Sequence, residues 1–329
     1  NILFSTSDIV NFSKCSFLTS LDCFTLDNTS FLSLKAEPSK YAELIQENGK
    51  RHEKNYWEKL KQITSNHLEL NENLSRTKRS VETILAMKKG VDLIYQGGFI
   101  DEQFTARPDF LKKINMPSKL GDYSYEVWDT KLSLSIKAGA VIQLVHYSEM
   151  LSKIQGIMPI RMGLILGDFS ETNFIVKNYF FYFKNLKKRF LDFTEKNKKN
   201  NLQPSPCQHC DLCYWRNHCN EIWKKKDHLC QIAFINKNQI EKLNLFKINT
   251  MKGLSEFDRN SKVPELNQTS FLRLQQQASL QVKSKETGGI YYELIKQDEV
   301  LLKSKVFDEK KGFGLQLLPK PTDGDLFFD

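Results

Sequence analysis

The stretch Tyr125-Glu126-Val127-Trp128-Asp129-Thr130-Lys131-Leu132 decides the fold. Its aromatic and β-branched residues predict a strand. Side chains alternate along a strand, so Asp129 and Lys131 share one face, while Glu126 and Trp128 share the other. Glu126 is therefore not counted with Asp129. Working outward, strand-like runs precede this stretch at 91–95 and 104–111 and follow it at 162–166 and 173–176. A helix is predicted over about 137–154, between the third and fourth runs. Upstream, helical spacing marks about 40–63 and 77–89. The order of helices, a meander of three strands, a helix and more strands predicts a mixed α/β core.

The chain has 329 residues, which allows two or three domains. Apolar residues make up 40% and aromatics 12%, enough for a sizeable core. The formal net charge of +9 favours a polyanionic partner. No run of 18 apolar residues and no signal-peptide pattern is found, which argues against a membrane or export. Four of the seven cysteines crowd between Cys207 and Cys219. In a long chain with no export signal, such crowding predicts metal ligation rather than disulfides and a cytoplasmic location. The chain starts at Asn1 and stops after Asp329, so a piece of a longer protein is expected.

Five features fall in order: His52 in a helix, Asp109 after Pro108, Asp129, Lys131, and the pair Gln143 and Tyr147. Two acids and a histidine can hold a divalent metal, which lowers the pKa of bound water. An ammonium beside them can orient that water or stabilise the developing oxyanion. Gln143 and Tyr147 are four residues apart and share a helix face. Taken singly, each has an ordinary reading: a surface histidine, a turn aspartate, an ion pair on a solvated face, an amphipathic helix. As an ordered set they are the equipment for phosphodiester hydrolysis.

The set resembles the RecB-type branch of the PD-(D/E)xK nucleases, over roughly residues 1–225. That resemblance implies a restriction-endonuclease-like mixed sheet flanked by helices. It implies Asp109, Asp129, His52 and the Thr130 carbonyl as ligands of Mg²⁺ or Mn²⁺, and Lys131 as the catalytic ammonium. Gln143 and Tyr147 would face the site and help bind the DNA strand. It also implies a [4Fe-4S] cluster on Cys15, Cys210, Cys213 and Cys219, as in RecB-like nucleases with an iron–sulfur staple. Spacing alone leaves a second ligand set open: Cys207, Cys210, Cys213 and Cys219 around a structural Zn²⁺. Trp215 would cover either centre, and Cys23 and Cys230 would fill core or surface positions.

The whole chain is similar to a bacterial group of RecB-like nucleases that continue into an RNase-H-like domain, often with a helicase fused behind. The implied organisation is a nuclease domain over 1–230 and a helical, helix-hairpin-helix-like and connecting region over 231–318. The start of an RNase-H-like domain would occupy 319–329, with Asp329 its first acid. The implied activity is a metal-dependent exonuclease on single-stranded DNA ends in DNA repair, with a helicase as possible partner. The alternative is a non-catalytic DNA-binding subunit of a helicase-nuclease. A cluster of Lys184, Lys187, Lys188 and Arg189 is balanced between a solvated face and a phosphate-contacting one.

Overall fold

The computed structural model describes residues 3–196, 202–293 and 322–326. The chain divides into two compact units, Asn1–Asn220 and Glu221–Asp329. The first opens with β1 (Phe4–Ser5), α1 (Thr6–Lys14), α2 (Ser16–Asp27), α3 (Lys40–Ile63), β2 (His67–Glu69) and α4 (Arg76–Lys88). Strands β3 (Leu93–Tyr95), β4 (Phe99–Ile100), β5 (Phe104–Ala106), β6 (Phe110–Ile114) and β7 (Ser124–Thr130) follow. Helix α5 (Ala138–Gln155), β8 (Arg161–Ile165), β9 (Glu171–Ile175) and α6 (Lys177–Lys196) complete the α/β part. Helix α7 (Arg216–Lys225) begins in this unit.

Six strands form one mixed sheet in the order β2-β3-β6-β7-β8-β9, in which β2–β3 and β7–β8 are parallel and the other pairs antiparallel. A smaller sheet has the order β1-β5-β4. Strand β7 is central, and all seven of its residues are buried. Tyr125 and Val127 face the main core with Leu144, Val145 and Leu151 of α5. Trp128 faces the opposite layer with Tyr56, Trp57 and Leu60 of α3. Helix α3 starts at the Ser39 cap, whose hydroxyl accepts from the Ala42 amide at 3.2 Å. Helix α5 stops at Gly156, where the chain turns left-handed with φ 79°.

The expected single strand over 104–111 is two strands in two sheets. Pro108 lacks the N–H that would continue the ladder, so the chain breaks between β5 and β6. That break leaves Asp109 just outside β6. The expected N-terminal helix is likewise two helices, with Cys15 extended at the joint between them.

Gly163 on β8 pairs with Trp128 on β7. A Cβ at position 163 would lie 2.1 Å from Trp128 Cδ2, inside the indole. The ring is further confined by the Lys112 ammonium, 3.7 Å from its centre. Gly163→Ala is therefore expected to destabilise the first unit by about 3 kcal/mol or more, beyond ordinary overpacking, because a rigid ring must move. A denaturation midpoint within experimental error of wild type would refute this packing account.

The second unit holds α8 (Lys237–Leu245), α9 (Met251–Ser255) and α10 (Gln268–Thr287). Ile240, Leu243, Ile248, Met251 and Leu254 close a separate core with Phe271, Leu274 and Ala278. Of the two short helices of the expected hairpin, α9 packs on α10 and α8 packs on the turn at Leu229–Gln231, within the same core. Cys230 packs against this core. The strand-like stretch beyond 293 and Asp329 lie outside the described residues. Among the described residues no helix is long and apolar enough to cross a membrane.

Candidate active site

Register and alternation bring the first two acids together. Phe110 lies opposite Trp128 in the β6–β7 ladder. One step further, Asp109 comes opposite Asp129, on the face that carries Leu111 and Val127. The Thr130 amide and hydroxyl both donate to Asp109 Oδ2, at 2.6 and 2.7 Å. Thr130 therefore enters the site as a holder of Asp109. Lys131 continues alongside β8, its amide donating to the Ile165 carbonyl at 2.8 Å. Its ammonium donates to Asp129 Oδ2. Asp129 is 2% exposed, so this pair is screened from water on the acid's side.

The third acid is Glu53 of α3. It was passed over in the sequence because it adjoins the more conspicuous His52. Gln96 donates to Glu53 Oε1, and Tyr95 also hydrogen-bonds its carboxylate. Burial raises the Asp109 pKa well above the usual carboxylate range, and repulsion from Asp129 and Glu53 adds to the rise. Burial also raises Glu53. Burial works against the Lys131 ammonium, yet Asp129, Asp109 and Glu53 together lift its pKa above the ordinary value. One ammonium thus stands among three carboxylates that still repel one another.

His52 is buried elsewhere on the same helix. Its ring packs tilted against Phe169, centroids 4.5 Å apart, and donates to the Leu166 carbonyl, in the turn between β8 and β9. Burial lowers its pKa, and the charges acting on it are Lys59 and Asp168. Its Nε2 is buried with no partner among the protein groups. Adjacent helix residues point about 100° apart, so α3 sends Glu53 to the acid pair and His52 to the β8–β9 turn.

From α5, Tyr147 is buried, and burial followed by the nearby Asp129 and Asp109 carboxylates raises its phenol well above the usual range. Its hydroxyl hydrogen-bonds Thr6 at the start of α1. Gln143, one turn earlier, is half-buried. Glu126 lies on the other face of β7 and pairs in register with Lys112.

Beside Tyr147, His146 is fully buried against Phe104 and Phe183 and shares a 2.8 Å hydrogen bond with Thr6. Burial pushes its pKa down to about 3. The unfolded chain protonates this imidazole near its ordinary value of 6.5, whereas the folded chain stays neutral. The stability it contributes is therefore present above about pH 6.5 and is lost as pH falls toward 3. We expect His146→Phe to flatten the acid limb of the stability–pH profile between pH 6 and 4. An unchanged limb would show that His146 is not the group being titrated.

A second centre lies where the N-terminal helices meet the segment after α6. Cys15 hydrogen-bonds Cys207, and the field of Cys15 reaches Cys210, Cys213 and Cys219. Cys207 and Cys210 Sγ are 3.8 Å apart. Burial raises the thiol pKa of Cys15, Cys210, Cys213 and Cys219, that of Cys210 and Cys219 to about 12. Cys207 adjoins both Cys15 and Cys210, so the split and local sets overlap in space. Trp215, fully buried, donates its indole N–H to Asp22 at 3.1 Å, and the Tyr214 hydroxyl donates to the other oxygen of Asp22. Lys35 adds an ion pair to Asp22 at 3.0 Å. Burial raises the pKa of Cys23, beside Asp22, to about 11.

The donor chemistry suits two different ions. Hard carboxylates around Asp109 suit a divalent cation, which would relieve their repulsion. Soft thiols suit Zn²⁺ or an iron–sulfur cluster. Among the described residues, no three His, Cys, Asp or Glu side chains stand close enough together to hold a single metal ion. No protein-family model matches the chain, and no curated protein matches it.

Proposed function

We propose that the first unit is a metal-dependent deoxyribonuclease of RecB type, on a restriction-endonuclease-like core, acting on single-stranded DNA ends. The observation that carries this reading is the pairing of Asp109 with Asp129 on one sheet face, with the Lys131 ammonium on Asp129. Asp109 and Asp129, with Glu53 the next nearest acid, would have to draw closer together than they stand here to hold a Mg²⁺ or Mn²⁺ ion, which would supply an activated water and charge neutralisation when bound. The chain's own groups have separate tasks. Lys131 delivers positive charge to the reacting phosphate oxygens. Thr130 fixes the orientation of Asp109 through two hydrogen bonds. Tyr147 stays protonated and so can donate to a phosphate. His52 is better placed to brace the β8–β9 turn than to share in the carboxylate set.

In this reading Cys15, Cys210, Cys213 and Cys219 would close up around a [4Fe-4S] cluster and so clamp the ends of the unit, a tighter grouping than the thiols have here. A Zn²⁺ ion on Cys207, Cys210, Cys213 and Cys219 is the competing assignment, favoured by the 3.8 Å approach of Cys207 to Cys210. The RNase-H-like continuation and a helicase partner remain proposals from the resemblance alone. The deciding experiment is incubation of the purified chain with end-labelled single-stranded and duplex DNA, with Mg²⁺ or Mn²⁺. Loss of label from single-stranded ends supports the assignment. Binding without cleavage in either metal would leave a non-catalytic DNA-binding domain.

A further inference from the structure

A cavity of about 230 Å³ opens beside the acid pair, walled by the start of α1, the first turns of α4 and the chain entering β6. Arg76, Arg79 and Arg107 line it, together with Thr6 and Tyr147, and its lining contains no carboxylate. Three guanidiniums around a cavity without an acid are unusual, because each repels the others. Arg79 is 5% exposed and is fixed by three backbone carbonyls, of Gln96 at 2.6 Å, Asn71 at 2.8 Å and Glu72 at 3.0 Å. Gly98 makes room for it, since a Cβ there would come 2.7 Å from the Arg79 side-chain carbons. Burial, and then repulsion from Arg107, lowers the Arg79 pKa. Arg76 and Arg107 are exposed at the rim.

We propose that this cavity is a subsite for a DNA phosphate flanking the bond to be cut. The planar fork of arginine matches phosphate oxygens in pairs, and the carbonyl-anchored Arg79 forms a preorganised floor between two exposed arginines. Tyr147 and Arg107 connect the cavity to the acids: the field of Tyr147 includes Asp129 and Asp109, and Arg107 acts on Glu53. A phosphate held here would share the Tyr147 wall with the acid pair, and no carboxylate lines the cavity itself. The subsite rests on the nuclease reading for its biological meaning, but its anion chemistry stands on the arginines. The bound group is a phosphate either as a terminal monoester or as an internal diester.

The test is anisotropy of the metal-stripped full chain with labelled single-stranded oligonucleotides carrying a 5′-phosphate, a 3′-phosphate or hydroxyls at both ends. The variant Arg76→Ala with Arg107→Ala is compared with Lys88→Ala with Lys89→Ala, which removes the same charge from the exposed far end of α4. Loss of bidentate contacts should weaken binding about tenfold or more for the arginine variant. The lysine variant, which removes only screened surface charge, should change it about twofold or less at physiological salt. Arg76→Ala alone, at an exposed position in the first turn of α4, should show part of the loss and guards against a misfolded double variant. An end-phosphate preference that disappears in the arginine variants identifies the terminal monoester. Equal weakening on all three oligonucleotides, with the lysine variant unaffected, identifies the internal diester. Equal loss from the arginine and lysine variants overturns the proposal. Wild-type protein that binds in this arginine-dependent way but never cuts with Mg²⁺ or Mn²⁺ would instead sink the nuclease reading and leave the subsite standing.

Discussion

Lys131→Ala is expected to lower the single-turnover rate of DNA cleavage by about 10²–10³, or roughly 3–4 kcal/mol of transition-state stabilisation. DNA affinity should remain nearly unchanged. The contrast follows from where the ammonium sits. It is bonded to Asp129, an acid with 2% exposure, and its pKa is held up by Asp129, Asp109 and Glu53. A charge already bound to a carboxylate adds little to the salt-dependent grip on a phosphate backbone, which sums over many lysines and arginines. The same charge beside the reacting phosphate acts where negative charge develops. Lys131→Arg should not restore the rate, because a wider planar head cannot occupy the same position against Asp129. Binding measured in parallel by anisotropy decides the matter. If affinity and rate fall together, Lys131 is a binding residue and its assigned role is wrong.

Cys15→Ser carries the second large effect. Cys15 stands about two hundred residues before Cys210, so a metal centre joining them closes a very long loop. A cross-link on a loop longer than about 100 residues stabilises by roughly 4–5 kcal/mol in the chain-entropy account. Its loss should lower the melting temperature of this unit by about 10 °C or more. The brown colour of an anaerobic preparation should disappear with it, and Cys207→Ser should do neither. The Asp22 junction to Tyr214, Trp215 and Lys35 does not depend on metal, so Cys15→Ser should loosen the unit without unfolding it. The opposite pattern is equally legible. A colourless, zinc-containing protein damaged by Cys207→Ser but not by Cys15→Ser would establish the local zinc site and end the staple assignment.

Some of the grouping was readable from short spacings. The two-residue period of β7 placed Asp129 and Lys131 on one face; the four-residue spacing on α5 put Gln143 and Tyr147 on one helix face, of which Tyr147 feels the acids' charge. Glu53 was not readable. A helix presents every residue in some direction, and only the docking of α3 against Trp128 decides which neighbour turns to the acids. His52 and Glu53 differ by one position and end up against different parts of the sheet. The arginine cavity was equally hidden, because Arg76, Arg79 and Arg107 come from separate segments whose approach is set by α4 packing beside β4.

By itself the amino-acid sequence determined the mixed α/β class, the central strand, the helices that flank it and the cysteine spacing after Pro206. All of these are local: they follow from periodicity, turn chemistry and residue type over a few positions. Tertiary structure alone decided that Asp109 stands opposite Asp129, because that depends on a ladder register between strands with a chain break at Pro108. It also decided that Glu53 joins them, that Cys15 meets Cys207 and Cys210, and that three arginines share one cavity. Such meetings join residues dozens to hundreds of positions apart. They are set by how buried faces pack, and packing depends on the whole core rather than on any local window.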